Sequence, residues 1–268
     1  MRRCCVLARV LGVYWVVSSL AIAQEAQAPR AQEPQAKTEA KQRPAKRLQH
    51  GSAKSYMGRP IADVMSFEGA DWLFRASREV EERPEEMLDA LQIKPGDTVA
   101  DVGAGAGYTS LRLAKRVGPS GKVLATDLQP QMLQMLTANA RAAGVKNVRA
   151  IQCTPTDPKL PSGQVDLVLM VDVYHECSHP KTTLQGLRKA LKPGGRMVLV
   201  EFRAEDPDVP IKPEHKMALA QVRKEIEPEG FVFKESLEFL PWQHIIIFER
   251  PADEASKPQD PPKPTTEK

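Results

Sequence analysis

Three glycines follow an apolar segment at intervals of two residues, since Val99 to Tyr108 reads VADVGAGAGY. The pattern predicts a strand that leads through Asp101 into a turn containing Gly103, Gly105 and Gly107. Glycine is favoured where the backbone turns sharply and where a ligand approaches without a Cβ in its way. The spacing therefore predicts a turn that binds a flat, polar ligand.

An acidic residue ends the next short β segment. Lys122 to Thr126 follows a helix-forming stretch, Thr109 to Val117, and leads into Asp127. A carboxylate at this place can accept hydrogen bonds from both ribose hydroxyls of a nucleoside. Tyr108 stands where a dinucleotide-binding fingerprint has its third glycine, and no P-loop lysine follows it. The pattern therefore favours a nucleoside ligand without phosphate.

The alternation of apolar and polar residues predicts strands and helices in turn, which indicates a parallel sheet with right-handed crossovers. The predicted strands are Thr98–Val102, Lys122–Thr126, Val148–Gln152, Leu167–Val171, Met197–Phe202, Phe231–Leu237 and His244–Glu249. The predicted helices are Pro84–Leu91, Thr109–Val117, Gln131–Ala143, Thr182–Leu191 and Pro213–Glu227.

These motifs resemble those of class I S-adenosylmethionine-dependent methyltransferases, which have D-x-G-x-G-x-G after the first strand, an acid after the second and L-K-P-G-G before the fifth. The last of these is Leu191 to Gly195. The resemblance covers about residues 84 to 250. It implies S-adenosylmethionine as cofactor and methyl transfer as activity. It also implies a Rossmann-like, doubly wound α/β fold whose seven-stranded sheet is mostly parallel and ends in an antiparallel hairpin.

The same resemblance implies a role for each matching residue. The glycine turn and Asp101 would cradle the methionine end of the donor, Asp127 would bind the ribose, and Leu128 would pack on the adenine. Asp157 would accept a hydrogen bond from the adenine amino group, although Pro155-Thr156 replaces the usual glycine-acid pair. The implied cofactor-binding residues are Asp101, Gly103, Gly105, Gly107, Asp127, Leu128 and Asp157.

His175 to His179 matches H-E-x-x-H, the zinc-protease signature. That chemistry requires a helix, because only i, i+4 spacing on a helix places both imidazoles on one face. The segment directly follows a predicted buried strand, and Ser178 with Pro180 indicates a helix that starts after the motif. We therefore expect a coincidental match and no bound metal.

The loop Asp172 to His179 has two other interpretations. One is that it lines the acceptor pocket, with Tyr174, His175 and Glu176 as catalytic residues closest to the transferred methyl. An imidazole beside a carboxylate can take a proton from a hydroxyl or thiol, with a pKa near neutral. The other is a polar loop whose histidines only bond to neighbouring backbone.

The chain divides by composition into five parts. Residues 1–23 have a basic start and a short apolar segment, which predicts a signal peptide cleaved after Ala23, with Ala28 as a second site. We expect an exported protein that meets a membrane only during export. Residues 24–54 predict a disordered basic linker, 55–83 a helical cap, 84–250 the methyltransferase domain and 251–268 a disordered tail.

Charge distribution argues against a nucleic-acid partner. The whole chain has a formal net charge of +4, but its excess of Lys and Arg lies in the signal segment and the linker. The predicted domain is slightly acidic, whereas phosphate binding favours a basic face. A small-molecule acceptor is therefore expected. The alternative is a noncatalytic module that binds an envelope component, because S-adenosylmethionine is made in the cytoplasm.

Overall fold

The computed structural model describes residues 55–252. The predicted signal peptide, the predicted linker and nearly all of the predicted C-terminal tail lie outside the described residues. Within residues 55–252, no helix is both long enough and apolar enough to cross a membrane.

The described residues alternate between strands and helices along the chain. The strands are β1 Ser55–Tyr56, β2 Arg59–Pro60, β3 Thr98–Val102, β4 Lys122–Asp127, β5 Val148–Gln152, β6 Val165–Val171, β7 Leu191–Arg203, β8 Lys216–Met217, β9 Val232–Leu237 and β10 Gln243–Glu249. The α-helices are α1 Arg78–Glu81, α2 Pro84–Ala90, α3 Tyr108–Val117, α4 Pro130–Ala142, α5 Pro180–Ala190 and α6 Leu219–Ile226. Four 3-10 helices are Phe67–Phe74, Tyr174–Glu176, Pro213–His215 and Glu227–Glu229.

The main sheet has the strand order β5-β4-β3-β6-β7-β10-β9. Strands β3 to β7 pair in parallel, and β10 pairs antiparallel with both β7 and β9. This confirms the predicted Rossmann-like fold with an antiparallel C-terminal hairpin. The sheet also has an eighth strand that was not predicted, because β8 pairs in parallel with the end of β7.

Strand β6 shows why the sheet is buried on both faces. Its alternate residues Leu167 and Leu169 belong to one apolar cluster, whereas Val168 and Met170 belong to the cluster on the other face. All four side chains are almost fully buried. A central parallel strand covered by helices on both sides requires such a continuous apolar run.

Two predicted elements differ from the structure. The predicted helix Pro213–Glu227 is replaced by a 3-10 turn, β8 and α6, because Lys216 and Met217 find backbone partners in Phe202 and Arg203. The predicted strand Met197–Phe202 starts earlier, at Leu191, because the L-K-P-G-G segment is an irregularity within β7, where the pairing with β6 shifts between Leu191 and Arg196.

The segment 55–83 is less helical than predicted. It begins with the β1–β2 hairpin and continues through the 3-10 helix Phe67–Phe74 to α1. The side-chain amide of Gln129, just before α4, holds this segment by accepting from Phe67 N and donating to Met65 O, each at 2.9 Å. The segment therefore packs at the start of α4, at the carboxyl ends of the parallel strands.

Candidate active site

The glycine turn joins β3 to α3, and its backbone is held against β4. The amides of Gly103 and Ala104 both donate to the carbonyl of Thr126 at 2.9 Å. Gly103, Gly105 and Gly107 have φ values of +73°, +53° and +92°, which L side chains rarely adopt. The turn therefore requires glycine for its backbone conformation.

Protein side chains also pack closely on the three glycines. A Cβ at Gly103 would lie 2.5 Å from Val173 Cγ2, and one at Gly107 would lie 2.9 Å from Leu136 Cγ. A Cβ at Gly105 would lie 2.9 Å from Leu73 Cδ1 of the N-terminal segment. The sequence predicted that a ligand lies next to these glycines. The structure shows that side chains from three other elements also leave no room for a Cβ at these positions.

Asp101 lies beneath the glycine turn and is fully enclosed. Burial raises the pKa of its carboxyl to about 6, and the negative charge of Asp127 acts in the same direction. The hydroxyl of Ser110 on α3 donates to its Oδ2 at 2.5 Å and partly offsets that rise. The site thus contains a carboxylate that is costly to ionise unless a cationic group comes near it.

Asp127 ties the end of β4 to the glycine turn. Its Oδ2 accepts from Gly105 N at 2.9 Å, and its Oδ1 accepts from Gln129 N at 2.8 Å. Burial raises the pKa of this carboxyl, and the backbone amides oppose that rise. Each oxygen keeps a second acceptor direction, which suits the two ribose hydroxyls. Leu128 follows as a half-buried apolar side chain.

Asp157 lies at the surface instead of in the cleft. Its carboxylate forms an ion pair with Lys159 Nζ at 2.7 Å, which lowers its pKa, and also accepts from Lys159 N. Its backbone exchanges hydrogen bonds with Thr154 in a tight turn after β5. The structure therefore gives the predicted adenine role of Asp157 no support, because neighbouring residues already engage the carboxylate.

The loop after β6 lies directly against the glycine turn, as the topology predicts. Val173 provides the side chain closest to Gly103. Asp172 before it has a φ of +55°, which is rare for a residue with a side chain. Gln243 donates to its Oδ2 at 2.7 Å, whereas its buried Oδ1 has no hydrogen-bond partner within residues 55–252.

The three predicted catalytic residues point in different directions, because successive side chains of a 3-10 helix are separated by about 120°. Tyr174 is fully buried in the core, and its hydroxyl donates to Glu225 Oε2 at 2.9 Å. Arg59 binds the same carboxylate at 2.7 Å. The structure therefore gives the predicted catalytic role of Tyr174 no support, since its hydroxyl is engaged beneath the loop.

His175 is buried, and both of its ring nitrogens are engaged. Nδ1 lies 2.6 Å from Glu201 Oε2, and Nε2 lies 3.1 Å from Nδ1 of His215. Burial alone would lower its pKa, but the charge and hydrogen bond of Glu201 raise it to about 9. The prediction of a near-neutral pKa is wrong, because Glu201 stabilises the imidazolium. At neutral pH this ring already carries its proton.

Glu176 is half-buried and lies where the loop, the N-terminal segment and the donor site meet. Its carboxyl accepts a hydrogen bond from the Met65 backbone. Burial raises its pKa to about 7, the positive charge of His175 opposes that rise, and the charge of Asp127 adds to it. Of the three predicted catalytic residues, Glu176 is therefore the one best placed to take up a proton at the cleft.

The H-E-x-x-H segment does not form a zinc-protease site. His179 is exposed and contacts Ser178 at 3.0 Å, and α5 begins only at Pro180. A different set of side chains does converge, because potential ligand atoms of His175, Glu176 and His215 all lie within 4.8 Å of one another. Among residues 55–252, these three form the set that could hold a metal.

The sequence analysis missed two residues of this site, Glu201 and His215. Glu201 interrupts the apolar strand β7, and a buried acid in such a strand signals a partner with a proton or a positive charge. His215 gave no such signal, because it meets His175 only through folding, at a sequence separation of 40 residues.

Comparisons with known proteins identify the family of the chain. A family model described as a methyltransferase domain matches residues 93–244. A demethylmenaquinone methyltransferase of Lactococcus lactis is 30% identical over 148 residues, which are 55% of this chain and 57% of the relative. A ubiquinone/menaquinone biosynthesis C-methyltransferase UbiE of Ectopseudomonas mendocina is 30% identical over 111 residues, covering 41% of this chain and 43% of the relative. The chain thus spans about half the length of each relative.

A solved structure has a similar fold. The S-adenosylmethionine-dependent methyltransferase of Aquifex aeolicus is 28% identical, with a TM-score of 0.66. The match covers 70% of this chain and 100% of that one. It spans the whole of the solved protein, so the additional residues lie in the present chain.

Proposed function

This chain belongs to the methyltransferase-domain family, and we propose that it methylates a small-molecule acceptor that gives up a proton in the reaction. The methyl donor is S-adenosylmethionine. The observation that carries the proposal is the half-buried carboxyl of Glu176. It accepts a hydrogen bond from the Met65 backbone, and the negative charge of Asp127 raises its pKa.

The residues present fit the donor. When bound, S-adenosylmethionine supplies an activated methyl group on a positively charged sulfur. Asp127 offers two acceptor directions toward the ribose, and the glycine turn provides the methionine end with a backbone that lacks side chains. The buried Oδ1 of Asp172 has no hydrogen-bond partner within residues 55–252, and burial together with the charges of Glu82 and Glu201 raises the pKa of this carboxyl. A positively charged donor nearby would favour its ionised form.

Little covalent chemistry is required from the protein. The acceptor atom must be aligned with the carbon–sulfur bond, and alignment supplies most of the acceleration in such reactions. The acceptor forms its new bond to carbon as the bond from carbon to sulfur breaks, and its proton passes to Glu176. The charged His175 beside Glu176 favours the carboxylate that accepts this proton.

The names of the two relatives support a small organic acceptor, because one refers to ubiquinone and menaquinone biosynthesis and the other to demethylmenaquinone. Each match covers only about half of the relative, so the acceptor is proposed by class alone. An acceptor with an ionisable hydroxyl or thiol fits the carboxyl of Glu176.

The test measures S-adenosylhomocysteine formation by the full chain in the presence of a small-molecule extract, and separately with the macromolecular fraction. Glu176→Gln should lower turnover at saturating donor at least about 100-fold, as expected for a lost general base. Its affinity for S-adenosylhomocysteine should change less than about twofold, because the donor contacts lie elsewhere. Glu86→Gln is the matched control, since Glu86 is exposed on α2.

Two results would contradict the proposal. Equal losses of donor affinity and turnover in Glu176→Gln would indicate a structural role for the loop. Tight binding of S-adenosylhomocysteine with no product from either fraction would favour the noncatalytic envelope-binding module.

We also propose that the protein acts after export, on the basis of the basic and apolar pattern of residues 1–23. N-terminal sequencing of protein from the envelope fraction should find a chain that begins after Ala23 or Ala28. An intact chain beginning with Met1 in the cytoplasm would contradict export.

A further inference from the structure

Two short 3-10 helices, Tyr174–Glu176 and Pro213–His215, bring two imidazole rings face to edge. The ring centroids of His175 and His215 are 5.0 Å apart, with an interplanar angle of 80°. Nε2 of His175 lies 3.1 Å from Nδ1 of His215, and a carboxylate oxygen of Glu176 completes a set within 4.8 Å. Three potential ligand atoms thus converge from two separate segments.

Glu201 fixes which nitrogen of His175 enters the cluster. Its Oε2 lies 2.6 Å from Nδ1, so Nε2 is the nitrogen directed at His215. Its other oxygen accepts from the Tyr174 amide at 2.8 Å, and the side chain is fully buried on β7. A carboxylate that holds the distal nitrogen of a histidine is the usual outer support of a metal-binding imidazole.

His215 is positioned by the sheet as well. The next residue, Lys216, starts β8 and pairs with Phe202 at the end of β7, the strand that carries Glu201. The His215 amide also donates to Lys212 O at 3.0 Å, which closes its 3-10 turn. Both histidines are therefore positioned by β7, His175 through the side chain of Glu201 and His215 through the backbone pairing of Lys216.

We propose that His175 Nε2, His215 Nδ1 and Glu176 bind one divalent transition-metal cation, of which zinc suits the ligands best. Binding releases the Nε2 proton of His175 to solvent, because an imidazole binds a cation only in its neutral form. Two imidazoles and one carboxylate form a ligand set that zinc accepts, with a fourth position left open as in catalytic sites. Metal–nitrogen bonds of about 2.0–2.1 Å in tetrahedral geometry require nitrogens about 3.3 Å apart. The 3.1 Å separation needs to open by only about 0.2 Å.

This site shares two residues with the H-E-x-x-H match but not its geometry. His215 takes the place of the exposed His179 as the second imidazole. It lies 40 positions after His175 in the sequence, and the pairing of β8 with β7 brings it close. The expectation of a metal-free loop rested on the absence of a helix through the motif. It did not consider a ligand from outside the motif.

The inference rests on the proposed function and narrows its acceptor. A hydroxyl or thiol that occupies the open position loses its proton more readily, because the cation stabilises the resulting anion. The oxygen of Glu176 that does not bind the cation accepts that proton, as in the proposed function. The oxygen or sulfur of the acceptor then forms the bond to the methyl carbon as the carbon–sulfur bond of the donor breaks. The expected acceptors therefore carry an ionisable oxygen or sulfur that can coordinate a cation.

The experiment titrates the untagged, metal-free full chain with Co²⁺, followed by visible absorption, and with Zn²⁺ in competition with a chromophoric chelator. One equivalent of each cation should bind. His215→Ala should weaken binding at least about 100-fold, and Glu201→Gln about 10- to 100-fold, as expected for loss of an outer support. His179→Ala is the matched control and should change the affinity less than about twofold.

Binding of less than one equivalent to the wild-type chain would overturn the inference, as would equal losses in His179→Ala and His215→Ala. If His215→Ala does not fold, His215→Asn provides the same test with a polar side chain. Affinity for S-adenosylhomocysteine checks the fold of every variant, because the donor residues lie outside the cluster. A chain that binds no cation but loses turnover in Glu176→Gln would refute the cation site and leave the proposed function standing.

Discussion

Replacing Asp127 with alanine tests the donor site most directly. Its carboxylate oxygens accept backbone amides from Gly105 at 2.9 Å and from Gln129 at 2.8 Å, and the Leu128 amide also stabilises the carboxylate. The ribose hydroxyls would add two charge-assisted hydrogen bonds, whose net loss costs about 1–3 kcal/mol. At about 1.4 kcal/mol per factor of ten, affinity for S-adenosylhomocysteine should fall about 5- to 150-fold. The orphaned amides should also lower the free energy of unfolding.

Isothermal titration calorimetry with S-adenosylhomocysteine measures the affinity, and denaturant unfolding without ligand measures the stability. Asp166→Ala is the matched control, because that carboxylate also accepts a backbone amide, from Thr98 at 2.9 Å, but at the amino ends of β3 and β6. It should destabilise the protein while leaving donor affinity unchanged. An unchanged affinity in Asp127→Ala, an equal loss in Asp166→Ala, or tight NAD binding by the wild type would refute the reasoning.

Three further predictions concern residues around the donor site. Burial raises the pKa of Asp101 from 3.8 to about 6, so its ionisation should lower the free energy of unfolding by about 2.4 kcal/mol between pH 4 and pH 7. Asp101→Asn should remove this slope in denaturant titrations, and an unchanged slope would contradict the assignment. Tyr174→Phe should cost about 1–3 kcal/mol of stability, because it removes a hydrogen bond to the buried Glu225, yet leave turnover within about twofold; a large loss of turnover at unchanged stability would restore a catalytic role. Gly105→Ala should weaken donor binding, because the new Cβ meets Leu73 and φ is positive. Adding Leu73→Ala should restore part of the lost affinity, as measured by calorimetry. Equal affinities for the single and double variants would contradict that contact.

The fold was predictable from sequence because its signals are local. The continuous apolar run of β6, the glycines after β3 and the acid that ends β4 each reflect a requirement met within a few residues. The predicted strand Thr98–Val102 matches β3, and the antiparallel C-terminal hairpin is present. By contrast, β8 is only two residues long and exists because β7 offers it backbone partners, so no local pattern indicated it.

The donor side and the acceptor side of the site differ in the same way. Asp101, the three glycines and Asp127 are recognisable because the backbone conformation and the hydrogen bonds that demand them are nearby in sequence or on adjacent strands. Leu128 is half-buried beside them, as an apolar contact for adenine would be. Asp157 shares the residue type but not the setting, because Lys159, two positions away, engages its carboxylate.

The sequence by itself determined the α/β fold, the glycine turn and the acid at the end of β4. Only the tertiary structure decided which side chains of the loop after β6 point into the core and which meet a partner. Tyr174 contacts Glu225, and His175 lies between Glu201 and His215, across separations of 26 to 51 positions. The physical reason is that burial and charge around a titratable group depend on whichever elements pack there. Sequence spacing along one segment does not contain that information.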